Sequence, residues 1–311
     1  MLRRMLLAAS HSGRARQFVT SAPVARGVVA RYVAGDQTPD AVAVAGRLRA
    51  EGLLVSLDHL GEDTTDSGQA AAAAREYTTL LASLAAAGLT GGGGTEVSVK
   101  PTAVGLGLAD HGEKTATENI SRICAAAREA GTMVTVDMED HHHVDATLRI
   151  LRALRGEFPD LGCVIQSYLR RSAADCAALA APGSRVRLCK GAYDAPQSLA
   201  FTARAEVDRS YARCLRVLMQ GSGYPMVATH DPRLIEIAAA QAQLTGRGPG
   251  DFEYQMLYGI RPAEQKRLAT GGARLRVYLP YGSDWYGYLV RRLAERPANL
   301  AFFARSLITR S

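Results

Sequence analysis

No apolar run approaches the roughly 20 residues that a membrane-spanning helix needs, so the chain reads as soluble or at most peripheral. Cysteine is sparse: Cys124, Cys163, Cys176, Cys189 and Cys214 form no C-x-x-C and no metal-ligand spacing. An odd, unpatterned set argues for a reducing compartment and against a disulfide framework. Aromatics make up 6% of the residues, and Trp285 is the one tryptophan. No G-x-G-x-x-G stands between a strand and a helix. The four glycines Gly91 to Gly94 precede a strand instead of following one, which excludes a phosphate loop and leaves a flexible link. Acids are missing from the first 35 residues, where Arg3, Arg4, Arg14, Arg16, Arg26 and Arg31 precede Asp36. Such a segment fits a transit peptide, an arm on anionic lipid, or a basic outer helix, the last needing no partner. The remaining positive charge, in a chain of net +7, shows no basic cluster interleaved with aromatics, which speaks against nucleic acid.

What is present is a regular alternation. Short β-branched apolar runs occur at Leu53–Asp58, Glu96–Lys100, Met133–Asp137, Cys163–Gln166, Arg185–Lys190, Pro225–Thr229, Phe252–Leu257 and Leu275–Tyr278. Ala/Leu-rich stretches of helical spacing separate them, as at Ser67–Ala87, Glu113–Ala130, Val144–Leu154 and Leu199–Met219. Eight strand–helix alternations predict an α/β fold with a parallel sheet closed into a (βα)8 barrel. A doubly wound open sheet would need an insertion or a second domain to use so many strands. Residues 1–48 lack a strand pattern and read as a helical arm packed on the barrel of residues 49–311.

Nearly all the unusual chemistry falls at strand C-terminal ends, where barrels assemble their sites. There stand Asp58-His59, Lys100, Asp137 with Glu139, Asp140 and His141, Gln166, Lys190, Thr229-His230-Asp231 and Tyr278. His141, His142 and His143 point in different directions as consecutive residues, so no metal site is expected. Asp137 is the expected counter-ion of Lys100 across adjacent strand ends, in a functional site or in a purely structural ion pair. Lys190 admits two readings, a Schiff-base amine or a fixed cation for an anionic ligand. Arg187, three residues earlier, favours the second.

After the last strand, Tyr288, Arg292 and Glu295 share one helix face, with Arg291 beside Arg292. Paired guanidiniums next to Tyr278 and Tyr288 suit a small carboxylate with an apolar body, since arginine grips a carboxylate bidentately. A solvated helix with Arg–Glu pairs would look the same in this segment alone.

Val134–His141, Ile165–Arg171, Arg187–Tyr193, Val227–Asp231, Phe252–Leu257 and the block from Tyr278 to Asn299 together resemble proline dehydrogenase, in its short single-function bacterial form. The likeness runs in order from about Arg31 to the C-terminus. It implies a distorted TIM-type (βα)8 barrel that holds FAD non-covalently and oxidises L-proline to Δ1-pyrroline-5-carboxylate by hydride transfer to flavin N5. A membrane quinone would accept the electrons, and a separate pyrroline-5-carboxylate dehydrogenase would take the product. The place of action would be the cytoplasm, with peripheral contact at the inner face of the plasma membrane.

Carried over residue by residue, the resemblance assigns the proline carboxylate to Arg291, Arg292 and Lys100, with Asp137 positioning Arg292 and Lys100. Tyr193, Leu257, Tyr278 and Tyr288 would wall the ring, and Glu295 would pair with the arginines. Arg187 would sit near flavin N5. Asp137, Gln166, Lys190, Gly191, Ala192, Thr229, His230 and Glu295 would complete the flavin contacts. The phenol of Tyr278 implies proline over hydroxyproline. Two departures from the family pattern stand out: His142 replaces a usual Thr, and Asp194 a usual Lys or Trp. No obligatory base is evident, so proline is expected to react as the free amine with water taking its proton. Two rivals remain at this stage: a Lys190 Schiff-base lyase, and a non-catalytic flavin or amino-acid binder.

Overall fold

Each strand carries two kinds of side chain on alternate positions, and this alternation decides which way it faces. The computed structural model describes residues 27, 29–61, 64–181 and 183–295, with 291–295 followed along their backbone only. Its strands are β1 (Leu54–His59), β2 (Thr95–Val99), β3 (Met133–Val136), β4 (Gly162–Gln166), β5 (Arg185–Cys189), β6 (Tyr224–Ala228), β7 (Glu253–Leu257) and β8 (Leu275–Tyr281). All pair in parallel, and β8 closes onto β1. The expected barrel is therefore formed, each strand beginning within one residue of its expected start.

The helices are α1 (Thr38–Ala50), α2 (Ser67–Ala86), α3 (Gly112–Glu129), α4 (Val144–Arg155), α5 (Ser172–Leu179), α6 (Arg204–Gln220), α7 (Pro232–Leu244), α8 (Pro262–Thr270) and α9 (Trp285–Glu295). Local chemistry sets several starts. Asp66 accepts from the Gln69 N–H before α2, and Asp231 from the Arg233 N–H before α7, each satisfying an otherwise unpaired amide. Proline opens both α7 and α8, where its missing N–H costs nothing.

The apolar core is a ring between sheet and helices. Val55 and Leu57 of β1, Val97 and Val99 of β2, and Leu275 and Val277 of β8 meet Leu80, Leu81 and Leu84 of α2 and their counterparts around the barrel. Burying one such leucine contributes about 1.5–3 kcal/mol. A smaller cluster of Val29, Tyr32, Val33, Leu60, Tyr288 and Leu289 lies where the end of β1 meets α9.

Three local expectations need correction. The helix expected from Leu199 begins at Arg204, because Leu199–Phe201 bridge to the segment after β4: Leu199 O accepts from Arg170 N, and Phe201 N donates to Tyr168 O. β8 runs three residues past its expected end at Tyr278, through Pro280 to Tyr281. Proline cannot donate to a ladder, but the Pro280 carbonyl accepts from Ala34 N at 2.9 Å, and Tyr281 O from Leu60 N at 2.7 Å. Gly91–Gly93 form a short 3-10 turn instead of a flexible link, and Gly93 O accepts from Arg276 Nη2.

Candidate active site

The inward positions of the strands read Ser56 and Asp58, Glu96 and Ser98, Thr135, Arg185 and Arg187, Glu253 and Gln255, Arg276 and Tyr278, with Lys100 and Asp137 just past β2 and β3. Hydrogen bonds that span the barrel show where they point. Arg187 on β5 reaches β1, β2, the end of β3 and β7. Its Nε donates to Gln255 Oε1 at 2.5 Å and its Nη1 to Ser98 Oγ and Asp137 Oδ1, both at 2.8 Å. Its Nη2 donates to Ser56 Oγ at 3.0 Å and Glu96 Oε1 at 3.2 Å. Deeper in the barrel, Arg276 donates to Glu253 Oε1 at 2.6 Å and Arg185 to Glu96 Oε2 at 2.5 Å. Gly162 makes room for that layer, since a Cβ there would lie 2.6 Å from Thr135 Oγ1 and 3.3 Å from an Arg185 nitrogen.

Charge balance explains how these groups tolerate burial. Four carboxylates (Asp58, Glu96, Asp137, Glu253) face four cations (Lys100, Arg185, Arg187, Arg276), all at most 9% exposed. Burial pushes the Glu96 and Glu253 carboxyls up, but their arginine neighbours outweigh it and hold both below the usual glutamate range. Burial works against the charge on Arg187, and Asp137 and Glu96 more than restore it.

At the mouth, Tyr278 donates to Asp137 Oδ2 at 2.8 Å, and the Arg187 guanidinium carbon lies 5.2 Å from its ring centre. Burial, reinforced by the charges of Asp137 and Asp58, raises the Tyr278 phenol well above its usual value, so it stays a neutral donor. Lys100 pairs with the Asp58 carboxylate, which corrects the expected pairing with Asp137. Register alone would set Lys100 level with Asp137, since Ser98 and Thr135 are partners on β2 and β3, but that carboxylate is already engaged and the lysine turns to Asp58. Asp137 is held by Ser98, Arg187 and Tyr278. Tyr77, reaching in from α2, donates to Ser98 O at 2.8 Å and lies 3.4 Å from Asp58 Oδ1.

Around the β4–β7 ends, Gln166 turns its amide N–H groups onto the Met138 and Glu139 carbonyls, at 3.2 and 2.7 Å. Its Oε1 faces Gly191, where an added Cβ would lie 3.0 Å from that oxygen and would run into the Tyr168 ring. Gly191 also adopts φ +99°, so glycine is required here. Lys190 Nζ sits between Asp208 at 2.6 Å and Asp231 at 3.1 Å. Thr229 Oγ1 accepts from Asp231 N. Leu257 N–H donates to His230 Nε2 at 2.9 Å, and Arg261 Nη1 donates to the His230 carbonyl at 2.6 Å. Ala192 and Tyr193 are half-buried beside Lys190, and Tyr193 packs on the core. Tyr288 packs in the small apolar cluster with Tyr32 and Leu60.

Arg291, Arg292 and Glu295 lie on α9, and their side chains are outside the described residues. The expectation concerned all three histidines; two of them approach one carboxylate, His141 Nδ1 at 3.2 Å and His142 Nε2 at 3.9 Å from Asp140 Oδ1. One ring uses its near nitrogen and the other its far one, and His143 is not of the group.

The model of the family described as proline dehydrogenase matches residues 41–305 of this chain. The chain belongs to the proline dehydrogenase family. A proline dehydrogenase of Deinococcus radiodurans is 40% identical over 89% of this chain and 89% of its own length. Proline dehydrogenase 1 of Bacillus subtilis strain 168 is 38% identical over 89% and 90%. Coverage of this kind places the chain with the short, single-function proline dehydrogenases. The proline utilization A protein of Bdellovibrio bacteriovorus, solved after inactivation by N-propargylglycine, superposes with a TM-score of 0.79 at 27% identity. It covers 86% of this chain, which spans 32% of that longer protein. Among the described residues no helix is long and apolar enough to cross a membrane.

For a proline dehydrogenase, the sequence reading overlooked most of the supporting groups. Glu96, Ser98, Ser56 and Gln255 hold Arg187 and Asp208 holds Lys190, while Asp58 stood out at its strand end without being matched to Lys100. The available signal was a period of two in polar residues inside apolar strands, as in Glu96–Ser98–Lys100 and Glu253–Gln255.

Proposed function

We propose that this proline dehydrogenase oxidises L-proline to Δ1-pyrroline-5-carboxylate, with non-covalently held FAD accepting the hydride at N5 and a membrane quinone accepting the electrons. The observation that carries the reading is the buried Arg187–Asp137–Tyr278 assembly at the C-terminal mouth. It sets a fixed cation under a neutral phenol whose ring can wall a small substrate. Proline's carboxylate would go to Arg291, Arg292 and Lys100, with Tyr193, Leu257, Tyr278 and Tyr288 around the ring and Glu295 beside the arginines. Orientation of this kind is the main demand of hydride transfer from a C–H bond.

The residues fit a flavin in two ways. Gly191 leaves a cradle that any Cβ would fill, next to the Gln166 carbonyl. Arg187 offers buried positive charge, although its five N–H groups are all engaged by the groups named above. Arg187 would therefore act on N5 by its field, or release Ser98 or Asp137 to donate. Lys190, Ala192, Thr229 and His230 would serve the ribityl and phosphate side. Among the described residues no group at the mouth is poised as an obligatory base, so the amine proton would leave to water. Lys190 is an ion-pair partner of two carboxylates, which disfavours the Schiff-base rival.

The same reading treats 49–311 as the catalytic barrel and 1–48 as an arm, with α1 straddling that boundary. The arginines before the first acid support action at the cytoplasmic face of the membrane, with product passing to a separate pyrroline-5-carboxylate dehydrogenase. An anaerobic visible spectrum before and after adding L-proline tests the core of the proposal. A flavin band that bleaches is expected. A flavin band that does not respond would overturn the substrate, and a protein that stays colourless with added FAD would overturn the cofactor.

A further inference from the structure

The Asp140–His141–His142 group plays no part in the proposed chemistry, yet it gathers three ligand-bearing side chains at one point of the β3–α4 loop. We infer that Asp140 Oδ1, His141 Nδ1 and His142 Nε2 form a binding site for a divalent transition-metal ion of the Zn2+ class.

The three ligand atoms lie within 4.8 Å of one another. In a tetrahedral site with bonds of about 2.0–2.2 Å, ligand atoms stand roughly 3.3–3.6 Å apart. The 3.2 Å from Asp140 Oδ1 to His141 Nδ1 is close to that spacing, and the 3.9 Å to His142 Nε2 is a few tenths long. His142 can close that gap, because its side chain is 76% exposed and free to swing. The other two are preset. His142 N–H donates to Asp140 Oδ1 at 2.9 Å and fixes the carboxylate, the role an outer hydrogen bond plays in metal sites.

An independent observation points at a ligand. His141 Nδ1 is buried and makes no hydrogen bond among the described residues, since its approach to Asp140 Oδ1 lacks hydrogen-bond alignment. A buried ring nitrogen without a hydrogen bond carries a desolvation cost that coordination would remove. The two rings stand 3.9 Å apart at 38°, so both can turn a nitrogen toward one ion. Two imidazoles and one carboxylate select Zn2+, Ni2+ or Cu2+ over Mg2+ or Ca2+, and leave one tetrahedral position for water. Glu139, next in the chain, holds Thr102 through its carboxylate and Gln166 through its carbonyl. An ion on Asp140–His142 would thus stiffen the rim beside the proposed flavin cradle, but the site itself stands whether or not that proposal holds.

Isothermal titration of the tag-free full chain with ZnCl2 tests the inference, beside His142→Ala and Asp140→Asn. His142 is exposed, so its replacement leaves packing intact, and circular dichroism confirms folding of each variant. The expected result is one equivalent of Zn2+ bound by the parent chain and at least a tenfold weaker affinity in each variant. Co2+ added in place of Zn2+ should give the visible absorption of a low-coordinate nitrogen–oxygen site, lost in His142→Ala. Equal affinity in parent and variants would place the ion elsewhere and overturn the inference, as would the absence of binding to the parent chain.

Discussion

Inside the barrel and outside it, the same strands solve two different packing problems. Between sheet and helices, fully buried Leu57, Leu80, Leu81 and Val97 interlock as a conventional apolar core. Across the barrel axis, the space that bulky branched residues usually fill holds four carboxylates and four cations in mutual contact. The outer region needs only volume and shape. The inner one needs every charge matched and every donor placed, since an unpaired buried charge costs several kcal/mol. The difference teaches that stability and chemistry are separated by face: the outer shell holds the strands, and the inner network holds Arg187, Lys100 and Tyr278 at the mouth.

Breaking the inner network should therefore cost more than thinning the outer shell. Arg276→Met would leave Glu253 and Glu96 without their shared cation and should destabilise the fold by about 4 kcal/mol in urea unfolding, as for other broken buried pairs. A loss below about 1 kcal/mol would mean that the interior rearranges freely. Leu80→Ala, on the outer side, should cost about 3 kcal/mol from lost burial and the cavity left behind. Proline turnover per bound flavin should survive Leu80→Ala, because Tyr77, and not Leu80, is the α2 residue that hydrogen-bonds into the inner network, at Ser98 and Asp58.

Acid sharpens the comparison. Glu253 and Glu96 titrate below the usual glutamate range, so their stabilising pairing is complete above about pH 4.3 and is lost as pH falls through the depressed values. Melting temperature should fall steeply only below about pH 4, and Glu253→Gln should flatten that limb while Leu80→Ala should leave its slope alone. Smallest of all, Arg149→Ala removes a surface pair with Glu113 and should move the melting temperature by no more than about a degree. A larger drop would mean that surface charge matters here as interior charge does.

Legibility in the sequence followed the same division. Strands and helices were readable because apolar period and punctuation are local signals, and errors arose where a distant partner intervened. Leu199–Phe201 left the helix for a bridge to the β4 loop, and Pro280 stayed in β8 because Ala34 takes its carbonyl. Lys100, Asp137 and Arg187 were recognisable as unusual charges at strand ends, but their partners were not, since register and closure decide which charges meet. His141 and His142 were discounted for a different reason, their approach to Asp140 depending on side-chain torsions that spacing cannot supply.

The sequence by itself determined the alternation of eight strands with helices, the clustering of charge at one end of the barrel, and membership of the proline dehydrogenase family. Those follow from periodicity and from residue identity in order along the chain. Only the tertiary structure decided that Asp58 and not Asp137 pairs with Lys100, that all five Arg187 N–H groups are engaged, and that Asp140, His141 and His142 meet. Each of these depends on how side chains are turned toward a common point, which barrel closure settles for those on separate strands and side-chain torsions settle for successive residues of one loop.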